Sequence, residues 1–152
     1  APTKMRMNIL HRGDGITILN DTYNANPQSM RAAAAVLGDA KDRRKVAIVG
    51  DMLELGPSSD LFHRAVGQSF GEMGTDCLIA VGELARYLAE GAREAGMGQV
   101  YRFDTLEQAM PIILEQLRPG TTILVKASRM MKFERIVEAL AAAAKDGAEK
   151  ST

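Results

Sequence analysis

Residues 45–56 read Lys45-Val46-Ala47-Ile48-Val49-Gly50-Asp51-Met52-Leu53-Glu54-Leu55-Gly56, an apolar run that ends in an acidic loop. A strand that is apolar at nearly every position is typical of a parallel sheet covered on both faces. Three further runs have the same character and are separated by longer amphipathic segments: Cys77 to Gly82, Gln99 to Phe103 and Thr122 to Lys126. This alternation predicts an α/β sandwich around a mostly parallel sheet.

The N-terminal region predicts a hairpin instead. Met7 to His11 and Ile16 to Asn20 flank a loop with an Asp-Gly pair, and glycine supplies the positive φ that such a turn needs. We therefore expect an antiparallel edge on the sheet. Asn26 and Pro27 then have the pattern of an N-cap and a first helical residue, in a helix that Gly38 ends.

The remaining helices are predicted from amphipathic spacing and from their caps. Asp104 and Glu107 have the spacing of a capping box. The predicted segments are Leu61 to Met73, Glu83 to Ala95, Asp104 to Leu117 and Met131 to Ala144.

Composition excludes several classes of protein. The chain has 152 residues, 46% of them apolar, which is enough for one domain with its own core. Its 19 basic and 19 acidic residues cancel, so we expect no binding to nucleic acid or to an anionic membrane. No apolar run reaches a membrane-spanning length and no hydrophobic signal core is found, so we expect a cytoplasmic protein. We also expect a monomer. Cys77 is expected to be inert core, and one cysteine with two histidines cannot form a zinc cage.

Motifs for nucleotide phosphates are missing from the sequence. None of the 14 glycines is followed by lysine, which excludes a Walker-type phosphate loop. No Gly-x-Gly-x-x-Gly opens a helix, and no Gly-x-Ser-x-Gly elbow is found.

Three polar clusters lie at the carboxyl ends of predicted strands, where open α/β sheets bind their ligands. They are Asn20 to Pro27, Gly50 to Gly56 with His63, and Lys126 to Arg129. Caps and an Asx turn explain Asn26, and they extend to Asn24, but they leave Asp21 and Tyr23 without a role. The second cluster is equally compatible with a solvated acidic loop. The third has two cations and a hydroxyl, which suit a carboxylate or a phosphate.

These clusters resemble the C-terminal domain of Mur ligases. The similar segments are Asp21-Thr22-Tyr23-Asn24-Ala25-Asn26-Pro27, Gly50-Asp51-Met52-Leu53-Glu54-Leu55-Gly56 and Leu124-Val125-Lys126-Ala127-Ser128-Arg129. The resemblance runs from about Arg6 to Leu140 and is strongest to the branch of the family that adds D-alanyl-D-alanine to UDP-N-acetylmuramoyl-tripeptide. It implies a Rossmann-like three-layer sandwich in a single domain of residues 1–152, with residues 1–6 as an interdomain linker and 145–152 as a frayed tail.

The resemblance also implies the missing parts of the enzyme. In the family this domain closes over a central ATPase domain, which carries the phosphate loop and the magnesium ligands, while an N-terminal domain holds the uridine nucleotide. Both are absent from this chain, so it is expected to be inactive alone and to bind no cofactor tightly, although the complete enzyme uses ATP and Mg²⁺.

Site residues follow from the resemblance position by position. Those expected on the ATP side are Arg6, Asp21, Asn24 and Asn26. Those expected on the D-Ala-D-Ala side are Lys126, Ser128 and Arg129. Four residues belong to the motifs without an assigned role: Tyr23, Asp51, Glu54 and His63. Ala127 stands where the family commonly has glycine, and its methyl group is expected to narrow the approach of the backbone to substrate.

Two alternatives differ in class. A phosphoacceptor receiver domain also places an aspartate after a central strand and a lysine after the last one, as Asp51 and Lys126 do. Receivers carry an acidic pair after the first strand and a proline after the lysine, where this chain has Asn20-Asp21 and Ala127. The other alternative is a binding module without chemistry.

Overall fold

A computed structural model describes residues 7–22, 25–127 and 131–143. Within these ranges the strands are β1 (Asn8–His11), β2 (Ile16–Asp21), β3 (Arg44–Gly50), β4 (Cys77–Val81), β5 (Gln99–Phe103) and β6 (Thr121–Lys126). The helices are α1 (Pro27–Gly38), α2 (Ser59–Glu72), α3 (Ala85–Glu94), α4 (Leu106–Leu114) and α5 (Glu134–Ala142), and a 3₁₀ turn (Gly56–Ser58) precedes α2. The longest of these helices, α2, has 14 residues, whereas a bilayer span needs about 20.

The strands form one sheet in the order β1-β2-β6-β3-β4-β5. β1 pairs antiparallel with β2, and every other neighbouring pair is parallel. The predicted mostly parallel sheet with an antiparallel edge hairpin is therefore confirmed. β6 returns from the far edge to lie between β2 and β3, and its last residue, Lys126, is in register with Asp21 on one side and Val49 on the other.

Helices cover both faces of the sheet, as a three-layer sandwich requires. Core residues from α1, α2 and α3 pack with Leu19, Val49 and Leu124 on one face. Core residues from α4 and α5 pack with Ile18, Ile48 and Val125 on the other. Cys77 belongs to this second core, as predicted, and burial raises the pKa of its thiol to about 11.

α2 and α3 pack against each other through glycines. A methyl group at Gly67 would overlap the carbonyl oxygen of Leu88 and lie 2.9 Å from the nitrogen of Ala92. A methyl group at Gly91 would overlap the carbonyl oxygen of Arg64. The two backbones therefore meet more closely than any side chain would permit, which fixes how α2 and α3 lie together on the sheet.

The hairpin turn is hydrogen-bonded to the C-terminal end of α5. Arg12 is buried, and its guanidinium donates to the carbonyl oxygens of Leu140 at 2.6 Å and Ala143 at 3.0 Å. It also pairs with Asp14 at 3.1 Å. Carbonyls at a helix C-terminus have no partner within the helix, and a cation is favourable there. The sequence pattern places Arg12 in the hairpin loop and does not indicate its contact with the last helix.

Some predicted helix boundaries are wrong. α4 is capped by Thr105, whose Oγ1 accepts a hydrogen bond from the Gln108 amide at 3.2 Å, and not by Asp104. The Asp104 carboxylate instead pairs with Arg102. α4 ends at Leu114, three residues early, and the backbone amides of Gln116 and Leu117 donate to the carbonyls of Ile113 and Leu114 three residues before them. By contrast, Asn26 caps α1 as predicted.

Candidate functional site

The three polar clusters lie along the carboxyl edge of the sheet. The chain leaves β3 toward α2 on one face, and leaves β6 toward α5 on the opposite face. Because β3 and β6 are neighbours, the two connections diverge from adjacent strand ends. Open α/β sheets bind their ligands in the crevice expected at such a point.

Asp21 and Lys126 form an ion pair at this edge. Lys126 Nζ lies 2.8 Å from Asp21 Oδ2, and the two side chains are 4% or less exposed. Strand alternation places both on the same face as Leu19 and Leu124, beneath α1. The structure thus joins one residue predicted on the ATP side with one predicted on the dipeptide side. Their position is more enclosed than the open, ligand-facing groups expected from the sequence.

Asn26 shapes the start of α1 next to this pair. Its Oδ1 accepts a hydrogen bond from the Ser29 amide at 2.8 Å, while Ser29 Oγ accepts from the Asn26 amide at 3.0 Å. Such a reciprocal box satisfies two amides that the helix itself cannot. Five further residues predicted for the site lie outside the described ranges: Arg6, Tyr23, Asn24, Ser128 and Arg129.

Ala127 does not project toward the crevice. Its side chain is fully buried in the core on the α5 face, with Phe133. A methyl group at Gly50 would lie 2.9 Å from the Cβ of Ala127 and 2.7 Å from the ring of Phe133. The expectation that Ala127 narrows the backbone's approach to substrate is therefore wrong, because Gly50 makes room for the methyl group within the core.

Asp51 joins the end of β3 to the start of α3. Its Oδ1 accepts a hydrogen bond from the Ala85 amide at 2.7 Å. The carboxylate also lies against Gly82, where a methyl group would be 2.7 Å from Asp51 Cγ. Burial raises the pKa of Asp51, and the hydrogen bond from the Ala85 amide opposes this rise. A carboxylate at a helix N-terminus is favourable, so Asp51 acts as a distant cap for α3.

His63 holds the beginning of the same loop. Its Nε2 accepts a hydrogen bond from the Met52 amide at 2.9 Å, so Nε2 carries no proton. Nδ1 then carries the proton and lies 2.7 Å from the carbonyl oxygen of Ser59, to which it donates. The ring is fully buried, and burial lowers the pKa of His63, so it is neutral in the folded protein.

Glu54 is the charged side chain that this loop leaves exposed. It has a φ of 61°, a left-handed conformation that a residue with a side chain rarely adopts. The sequence motifs include Asp51, Glu54 and His63, but they do not show that the missing side chains of Gly82 and Gly50 accommodate Asp51 and Ala127. A glycine at the end of each predicted buried strand was the signal available for both.

The neutral state of His63 predicts a pH-dependent stability. The unfolded chain protonates this histidine at its ordinary pKa of 6.5, whereas the folded protein does so only at lower pH. The contribution of neutral His63 to the free energy of unfolding is therefore complete above pH 6.5. It is lost as the pH falls below 6.5, by up to about 1.4 kcal/mol per pH unit. Asp51 has a raised pKa and works in the opposite direction, because its protonation in the folded state adds stability as the pH falls.

Urea denaturation at pH 7.5 and at pH 5.5 would measure this effect, because these two pH values lie on either side of the ordinary pKa of histidine. His63→Gln is expected to reduce the loss of stability on acidification. His11 is exposed in β1, so His11→Gln is the matched control and should keep the wild-type dependence. Identical pH dependence in the wild type and His63→Gln would contradict a neutral, buried His63.

The described residues contain no group of three histidine, cysteine, aspartate or glutamate side chains that could hold a metal ion. Mg²⁺ needs several oxygen ligands in near-octahedral geometry. The carboxyl edge, as far as the structure describes it, does not fit a resident magnesium ion.

Comparison with known proteins agrees with this geometry. The family described as "Mur ligase, glutamate ligase domain" matches residues 5–129. The chain belongs to this Mur ligase family. A relative from Bacillus subtilis (strain 168), named UDP-N-acetylmuramoyl-tripeptide--D-alanyl-D-alanine ligase, is 34% identical over 140 residues, which cover 91% of this chain and 31% of the relative.

Solved structures show the same fold in longer Mur ligases. MurF from Acinetobacter baumannii matches with a TM-score of 0.82 at 34% identity, over 93% of this chain and 31% of that one. MurF from Thermotoga maritima, solved in complex with ADP, matches with a TM-score of 0.72 at 25% identity, over 91% of this chain and 31% of that one. This Mur ligase domain thus spans about a third of the length of the relatives it matches.

The receiver-domain alternative is not supported. A phosphoacceptor aspartate must be accessible, whereas the Asp51 carboxylate is buried against Gly82 and caps α3. The lysine after the last strand pairs with Asp21 and not with Asp51. Both residues on which the alternative depended therefore have other partners in the Mur ligase domain.

Proposed function

We propose that this chain is the C-terminal domain of an ATP-dependent ligase that joins D-alanyl-D-alanine to UDP-N-acetylmuramoyl-tripeptide in cytoplasmic peptidoglycan synthesis. The observation that carries the proposal is the match of 91% of the chain to a ligase of that name. Because the match covers 31% of that ligase, the proposal requires further domains. These are a central ATPase domain, with the phosphate loop and the magnesium ligands, and a domain for the uridine nucleotide.

The proposed reaction has two steps. A carboxylate oxygen of the tripeptide attacks the γ-phosphorus of ATP, and ADP leaves to give an acyl phosphate. The amine of D-Ala-D-Ala then attacks the acyl carbon through a tetrahedral intermediate, the nitrogen loses a proton and inorganic phosphate leaves. Both steps bring anionic groups together, so positioning and charge neutralisation supply most of the catalysis.

The carboxyl edge of the sheet is the surface that this domain would turn toward the reaction. We assign the ATP side to Arg6, Asp21, Asn24 and Asn26, and the dipeptide side to Lys126, Ser128 and Arg129. The ion pair between Asp21 and Lys126 supports a shared location for the two sides. The pair uses one oxygen of Asp21, and a carboxylate has lone pairs for further donors. The Oδ1 of Asn26 caps α1, so a ligand contact there would use its Nδ2.

The 152-residue chain by itself is expected to unfold cooperatively in urea, to release no phosphate from ATP, and to bind ATP with a dissociation constant of about 1 mM or weaker. The reason is that the phosphate loop and the metal site, each a source of charge-assisted bonds of roughly 1.5–3 kcal/mol, belong to the missing domains. Urea denaturation measures the unfolding, a phosphate-release assay measures hydrolysis, and isothermal titration measures the binding of ATP.

The complete ligase is the positive arm of the experiment. It is expected to release phosphate only when ATP, UDP-N-acetylmuramoyl-tripeptide and D-Ala-D-Ala are present together. Replacing D-Ala-D-Ala with L-Ala-L-Ala is the matched substrate control. Micromolar binding of ATP by the 152-residue chain, or phosphate release by the complete ligase without the dipeptide, would overturn the assignment.

A further inference from the structure

The loop after β3, residues 51–58, is attached to the protein at its start by two buried side chains. Asp51 binds the first turn of α3 through the Ala85 amide. His63, one turn into α2, binds the Met52 amide and the Ser59 carbonyl. The loop also begins next to Ala127, because Gly50 packs against it at the end of β6. The start of the loop is therefore attached to three neighbouring elements at the carboxyl edge.

Neither of these two side chains is arranged for proton transfer. Both ring nitrogens of His63 are engaged with the backbone, and the ring is fully buried. The charged groups around the ring are Asp51 and Asp60. The two ring nitrogens of His63 are hydrogen-bonded to the backbone of Met52 and Ser59 and not to these carboxylates. Asp51 holds the Ala85 amide and lies against Gly82. A general acid or base must reach the proton it transfers, and these groups are turned inward.

The fixed loop has one exposed charged side chain, that of Glu54. Its φ of 61° is unfavourable for a residue with a side chain, so the surrounding structure must impose it. The two bonds at Met52 and Asp51 lie two and three residues before Glu54, close enough to set its backbone direction. The anchors thus determine where this carboxylate projects from the carboxyl edge.

We propose that Asp51 and His63 are positioning residues of the ligase reaction, which hold the loop after β3 so that Glu54 projects from the carboxyl edge toward the bound substrates. They touch no substrate themselves. This inference rests on the proposed function and assigns roles to three residues of the Gly50–Gly56 motif and the following helix.

The test uses a double-mutant cycle in the complete ligase, with kcat and the KM of each substrate as readouts. His63→Leu and Glu54→Ala are each expected to lower kcat/KM by about 10- to 100-fold, because small displacements of a positioned group have effects of this size. If His63 acts through Glu54, His63→Leu should have little further effect when Glu54 is already alanine. Glu115, exposed beyond the end of α4 at the opposite edge, provides the control Glu115→Ala, which should leave kcat/KM unchanged.

A conservative variant separates positioning from proton transfer. The side-chain amide of His63→Gln offers one acceptor and one donor, so it can serve Met52 and Ser59 and should restore most of the activity lost in His63→Leu. The pH profile of kcat/KM should keep the wild-type shape in both variants. A glutamine variant as inactive as leucine, together with loss of one limb of the profile, would overturn the proposal in favour of acid–base catalysis.

The remaining outcomes are also decisive. Glu54 is exposed, so Glu54→Ala cannot fail through misfolding of the core, and full activity in this variant would overturn the proposal even if His63→Leu does not fold. If the effects of His63→Leu and Glu54→Ala on kcat/KM are additive, His63 does not act through Glu54 and the proposal is overturned. A wild-type ligase that forms no peptide bond would refute the proposed function, whereas an active wild type with a fully active His63→Leu would refute this inference alone.

Discussion

Gly67→Ala is expected to destabilise the protein by about 3 kcal/mol or more, and a marginally stable domain cannot absorb much of such a loss. The new methyl group would overlap the Leu88 carbonyl and approach the Ala92 nitrogen, both of which are backbone atoms of α3. Side chains can rotate away from a clash, but a helix backbone moves only as a unit. α3 would have to shift on the sheet, with loss of contacts to β4 and β5. Urea denaturation monitored by circular dichroism measures the change.

Other glycines provide a graded series for this prediction. Gly91→Ala overlaps the Arg64 carbonyl and should cost nearly as much. Gly71→Ala meets the side chain of Ala95 at 2.6 Å and should cost less. Gly98 has no neighbouring atom within 4 Å and no positive φ, so Gly98→Ala is the matched control and should change stability by no more than about 1 kcal/mol. Equal stability of Gly67→Ala and Gly98→Ala would contradict the close packing of α2 and α3.

Local patterns were sufficient to predict most of the fold. The run Lys45–Gly50 was predicted as a strand buried on both faces because nearly every position is apolar, and β3 begins only one residue earlier. Asn26 and Pro27 predicted the start of α1 because capping depends on adjacent residues alone. The cap of α4 was placed one residue too early because two overlapping capping patterns occur there, and the sequence does not show that Arg102 competes for Asp104.

Contacts between distant residues were not predictable in this way. Arg12 and Leu140 are 128 positions apart, and nothing in a Gly-rich turn indicates that its arginine caps the last helix. The resemblance identified Asp51 and His63 but not their roles, since these depend on how α2 and α3 pack. The glycine at position 67 looked ordinary in a helix, and only the approach of α3 makes it essential.

The pairing of Asp21 with Lys126 shows the same limit at the site. Both residues were predicted at strand ends, and both were assigned to ligands. Their direct contact depends on β6 lying next to β2, across 105 positions of sequence. A strand order with β3 beside β2 would have separated them. The site predicted as two ligand-binding halves therefore has a buried charge pair at its centre.

Lys126→Met is expected to lower the free energy of unfolding by about 3–5 kcal/mol, because it leaves the buried Asp21 carboxylate without the cation that it contacts at 2.8 Å. Methionine replaces the aliphatic part of lysine, so packing changes little. Asp21→Asn should be milder, since the amide keeps an acceptor for Lys126. Urea denaturation of the 152-residue chain at pH 7 measures each variant.

The double variant distinguishes a coupled pair from two independent losses. Asp21→Asn combined with Lys126→Met removes both charges, and replacing a whole buried pair costs much less than breaking one. The double variant should therefore be more stable than Lys126→Met alone. Lys41, exposed before β3, gives the control Lys41→Met, with an expected change within about 0.5 kcal/mol. A double variant less stable than Lys126→Met, or a loss in Lys126→Met no larger than in the control, would show that the charge pair does not hold the carboxyl edge together.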